Sequence, residues 1–104
     1  MSDVTFSAEA RADRREITRF TRDRFGVEQV RRLLAELRRI TRTLVALPGA
    51  GRRIPELDPQ GHRMRIYVMQ GRFLIVYEET DGGIHVHRIL HGARDIAAEL
   101  GDES

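Results

Sequence analysis

Residues 72–90, RFLIVYEETDGGIHVHRIL, hold two runs of β-branched and aromatic residues separated by the turn-forming TDGG. Such runs read as strands at 72–79 and 84–90 joined by a hairpin turn. Phe73, Leu74, Ile75, Val76 and Tyr77 are consecutive and all large and apolar. A strand apolar on both faces belongs in the middle of a sheet and needs cover on both sides. One cover is expected to be helical. The other is expected from the C-terminal segment or from another protein, because stable monomers rarely leave such a patch bare.

Upstream, HRMRIYVM at 62–69 alternates and reads as a third strand, turned into the next by Gln70-Gly71. Residues 52–61 are rich in Pro, Gly and charge and read as a loop. VTF at 4–6 reads as a first, short strand. Ser7 is placed to cap a helix over 8–25, with Glu9 in its first turn. That helix has a thin apolar stripe of Ala8, Ala12, Ile17, Phe20 and Phe25 among many charges. Gly26 ends it. Val30, Leu33, Leu34, Leu37, Ile40, Leu44 and Leu47 then recur at three and four, marking an amphipathic helix of about five turns. LPGAG at 47–51 stops it. Two helices joined at one glycine form an antiparallel hairpin.

The expected order is therefore β-α-α-β-β-β, with HGARDIAAELGDES at 91–104 turning into a short C-terminal helix. That is an α+β chain, one domain over 1–104. A helical hairpin packs on one face of a mainly antiparallel four-stranded sheet.

Cysteine is absent, which excludes disulfides and thiolate chemistry. No charged-then-apolar leader and no long apolar run is seen, so a cytoplasmic chain without a membrane span is expected. All 18 cationic residues are arginine. Residues 1–53 hold 13 Arg against 7 acids, and residues 54–104 hold 5 against 9. A basic front half fits an acidic partner.

His85, His87 and His91 share strand parity and are expected on one face, with Arg88 on the other. Nothing near them completes a metal shell, so solvated or hydrogen-bonded surface positions are the expected use of His85 and His87, and no metal or other cofactor is predicted. His91 is also suited to general acid–base work, with Arg63, Arg65, Arg88 and Arg94 able to neutralise a phosphate. Tyr67 and Tyr77 are the only tyrosines and are expected in core or partner packing.

SAEARADRREITRFTRDRFG in the first helix, ALPGAGRRIPEL after the second, and GRFLIVYEETDGGIHVHRILHGARD in the sheet together resemble the RelE/ParE superfamily of bacterial type II toxins. The resemblance runs from about residue 4 to 100. Its most specific part is Arg88, Leu90, His91, Gly92, Arg94 and Asp95, and it points to the ParE branch. The chain has no aromatic residue after Tyr77 and ends in an acidic tail, unlike the RNA-cutting members. The resemblance implies a toxin that inhibits DNA gyrase and is neutralised by a cognate ParD-like antitoxin. That antitoxin would bind through an acidic, amphipathic C-terminal segment, and DNA would be reached only through it. On this reading Arg11, Arg15, Arg19, Arg22, Leu34, Leu37, Phe73, Ile75 and Tyr77 meet the antitoxin. Arg88, His91 and Arg94 determine toxicity. The alternative is a RelE-like, ribosome-dependent messenger RNA endoribonuclease, with His91 as base and Arg65, Arg88 and Arg94 as phosphate clamps. A third reading is a toxin that has kept only its antitoxin binding.

Overall fold

The computed structural model describes residues 3–57 and 63–92. In chain order the elements are β1 (Val4–Phe6), α1 (Ala8–Phe25), α2 (Val27–Ala46), β2 (Arg52–Arg53), β3 (Arg65–Met69), β4 (Phe73–Thr80) and β5 (Gly83–His91). Short 3₁₀ turns at Pro48–Ala50 and Pro55–Leu57 flank β2. Ser7 makes the first turn of direction. Its Oγ accepts from Ala10 N at 2.9 Å and donates to His87 O at 2.7 Å, while its N–H donates to Val86 O at 2.9 Å. One residue thus caps α1 and ties its start to β5. Ser7→Ala should lower stability by about 1–2 kcal/mol, because a cap and a carbonyl partner go together. Ser7→Asp should recover part of this by keeping the cap acceptor. Urea midpoints of the two variants check it; equal loss in both would be the contrary result.

Gly26 joins the helices at φ 92° and ψ 174°, backbone that an L side chain rarely adopts. The break lets α2 lay Leu33, Leu37, Ile40 and Leu44 against the sheet, all at most 6% exposed. The strand order is β1-β5-β4-β3-β2. β1 runs parallel to β5, and every other pair is antiparallel.

The sheet has five strands, one more than expected. β2 is two arginines, Arg52 paired with Ile66 and Arg53 with Arg65. A two-residue strand has no alternation to read, and the neighbouring Pro and Gly mark it as loop. The outer face of β4 is covered in part by described residues. Val76, Leu90 and Ile66 are buried there against Ile54, Met64 and Leu74. Part of the second cover thus comes from Ile54, inside the stretch read as a loop, and from Met64, just before β3. The expected C-terminal helix lies outside the described residues.

β5 contains a bulge. Val76 pairs with Arg88 and Tyr77 with Val86, leaving His87 extra. A bulge of one residue reverses the in–out parity of everything beyond it. Ile84, Val86 and Ile89 therefore all face the helices, and Leu90 faces away. No helix among the described residues is long and apolar enough to cross a membrane.

Candidate functional site

Arg15, Arg19 and Arg22 lie at i, i+4 and i+7 on one flank of α1, so they form a single stripe. With Arg14, Thr18 and Leu34 of α2 they line an open groove of about 360 Å³. Arg31 and Arg38 sit three before and four after Leu34 and so share its side of α2. Arg14 is spent on the Phe6 ring, 4.7 Å away, and Arg31 lies 3.8 Å from Glu28. Arg22 is 3.7 Å from Asp23. Arg15, Arg19 and Arg38 have no ion pair among the described residues. The groove is thus cationic with an apolar centre. Arg11 is anchored elsewhere, donating to Phe6 O at 2.8 Å.

Of the nine residues expected to meet a partner, four are core. Leu37, Phe73, Ile75 and Tyr77 are 6%, 5%, 0% and 0% exposed, packed between the helices and the sheet. In this conformation those four side chains are closed off from the surface, whereas Leu34 and the arginines are not.

The bulge also separates the histidines. His85 shares a 2.7 Å hydrogen bond with Thr5 Oγ1, and His87 one of 2.6 Å with Glu78 Oε1, on the face away from the helices. His91 turns to the helix side, edge-on to Phe73 at 5.3 Å and Phe20 at 6.4 Å between ring centroids. The three histidines do not share a face, contrary to the parity argument, because His87 breaks the alternation. Among the described residues no three His, Asp or Glu side chains are arranged to hold a metal ion.

Arg88 reaches α1 rather than solvent. Its Nε donates to Asp13 Oδ2 at 2.8 Å and a terminal nitrogen to Oδ1 at 3.2 Å. Ile89 N donates to the same Oδ2 at 2.9 Å. β1 ends opposite Val86, and beyond that point Asp13 supplies an acceptor to the edge of β5. Asp13 was not singled out from the sequence. Its signal was there: an acid at i+3 from buried Ala10 and i−4 from Ile17, inside the apolar stripe.

Arg65 serves the turn after α2. It donates to Gly51 O at 2.7 Å. Tyr77 Oη accepts from Gly51 N at 2.8 Å and donates to Pro48 O at 2.7 Å. Arg65 is level with Tyr77 and Val86, whereas His91 is level with Phe73 and Met69. Four residues along a strand and two strand spacings put them about 13 Å apart lengthwise and about 10 Å across. Arg65, Arg88 and His91 therefore do not converge on one phosphate. Arg94 lies outside the described residues.

Residues 4–96 match the family model described as the ParE toxin of type II toxin–antitoxin systems, parDE. Toxin ParE of Escherichia coli is 31% identical over 102 residues, 98% of this chain and 96% of that protein. Toxin ParE1 of Mycobacterium tuberculosis is 35% identical over 100 residues, 95% of this chain and 98% of that protein. A solved structure described as the chromosomal ParDE TA system from P. aeruginosa matches with a TM-score of 0.67 at 20% identity, over 88% of this chain and 97% of that one. That likeness speaks for the fold. The chain belongs to the ParE toxin family of type II toxin–antitoxin systems.

Proposed function

We propose that this ParE-family toxin acts in the cytoplasm on DNA gyrase. It is neutralised by a cognate ParD-like antitoxin whose acidic, amphipathic segment lies in the α1/α2 groove. The observation that carries the antitoxin site is the set of arginines without ion pairs, Arg15, Arg19 and Arg38, around half-buried Leu34. An acidic face on the partner would meet the arginines, and an apolar ridge would cover Leu34. Toxicity is assigned to the end of β5, at Arg88 and His91, with Arg94 beyond. The wide spacing of Arg65 and His91 argues against the endoribonuclease alternative.

With purified antitoxin, Arg15→Glu/Arg19→Glu should slow association about tenfold at low salt, and the gap should close as salt rises. Equal rates at low salt would remove the electrostatic part of the proposal. Induced expression should alter plasmid supercoiling while messenger RNA stays whole. Messenger RNA cut by the parent chain and spared by His91→Gln would overturn the gyrase assignment.

A further inference from the structure

α1 has a second flank, opposite the arginine stripe, that closes over the end of β5. Between them lies a cavity of about 100 Å³ walled by the rings of Phe20, Phe73 and His91 and by the carboxylates of Asp13 and Glu16. It is smaller than the roughly 300 Å³ at which drug-sized sites begin, and so suits the head group of one side chain. His91 meets Phe73 at an interplanar angle of 81° and Phe20 at 63°. His91 meeting two phenyl rings steeply makes a corner rather than a stack, as in the aromatic cages that hold organic cations. Phe20 is 44% exposed and already attracts one guanidinium, that of Arg24 at 5.2 Å, which does not line the cavity.

The charge has the matching sign. Asp13 is neutralised by Arg88, which engages both of its oxygens. Glu16 is exposed and has no ion pair among the described residues. Among the described residues no arginine lines this cavity, and Arg72 lines only the adjoining space that the same three rings share. Among the described residues the pocket is thus walled by three rings, Ile17 and Ile89, with one carboxylate unmatched and no arginine.

We infer that this cavity accepts an arginine side chain presented by a protein segment lying along the end of β5. The site is separate from the arginine groove and opposite to it in charge. An antitoxin segment that fills the groove would leave this cavity open to that second contact.

The probe is the capped tripeptide Gly-Arg-Gly, titrated into the full chain while the ring protons of Phe20 and His91 are followed by NMR. Saturable shifts are expected, with the citrulline tripeptide about three- to tenfold weaker because it lacks the charge. Glu16→Gln should weaken the arginine peptide to a similar degree without moving the thermal midpoint, since Glu16 supports no fold contact. Phe20→Ala should remove the shifts at His91. Absence of saturable shifts, equal affinity for the citrulline or a leucine tripeptide, or indifference to Glu16→Gln would each overturn the inference.

Discussion

Asp13→Ala is expected to destabilise the chain by about 3 kcal/mol. The Asp13 side chain is 15% exposed and takes three hydrogen bonds, two from Arg88 and one from the Ile89 amide. Its loss takes two hydrogen bonds from a half-buried guanidinium and one from an N–H at a strand edge. Breaking a buried pair from one side costs about 3–5 kcal/mol. Arg88 is 34% exposed, so water offsets part of that. The unpaired amide adds about 1 kcal/mol back. Arg88→Ala alone should cost less, about 1–2 kcal/mol, because Asp13 keeps the amide and some solvent. The double variant should then be far from additive, with a coupling of about 1 kcal/mol or more. Urea unfolding of the four proteins measures all of it. An Asp13→Ala midpoint within error of the parent would refute the account. Growth assays on Arg88 variants have to be read beside these curves, because Arg88 holds α1 to the sheet as well as standing at the proposed toxic end.

Gly51→Ala should cost a comparable amount, about 2–3 kcal/mol. A Cβ there would lie 2.8 Å from Tyr77 Cε1, against Tyr77 Oη, and 3.0 Å from the Ile66 carbonyl. Tyr77 cannot step aside, since it is fully buried and its hydroxyl holds the turn at both Gly51 and Pro48. Overpacking of this kind typically costs about 1–3 kcal/mol, and the hydroxyl's hydrogen bonds are lost with it. Gly51→Ala/Tyr77→Phe should recover part of the loss by removing the clashing oxygen. If Gly51→Ala alone melts like the parent, the turn is softer than its contacts imply. Burial raises the Tyr77 pKa above 10.0, partly countered by the Gly51 N–H and the Arg65 charge. The neutral phenol is thus favoured in the folded chain. Its contribution is complete below pH 10 and is lost as the pH climbs through the raised value.

The helices were legible almost to the residue, because Ser7, Gly26 and the Leu47-Pro48-Gly49 stop are local signals with local physics. The long strands were legible from their apolar runs. β2 was not, because pairing with Ile66 and Arg65 is a property of β3 and leaves no mark on two arginines. The bulge was not either. Alternation across 84–91 predicts one face for three histidines, and only the pairing with β4 reveals that His87 is skipped. The site suffered from the same cause. Leu34 and the α1 arginines could be placed by helical period alone, whereas Phe73, Ile75 and Tyr77 needed knowledge of which sheet face the helices cover. Asp13 was visible as an acid in an apolar stripe, but its partner 75 residues away was not.

The skipped residue in β5 also sets a boundary for sequence drift. Residues 83–86 answer to β1, through the Val4–Ile84 and Phe6–Val86 pairs. Residues 88–91 answer to α1, through Asp13 and Phe20. Because the bulge absorbs the mismatch between the two halves, a change that suits one half imposes no compensating change on the other. The end of the strand proposed to carry toxicity can therefore diversify while the end that closes the fold stays as it is.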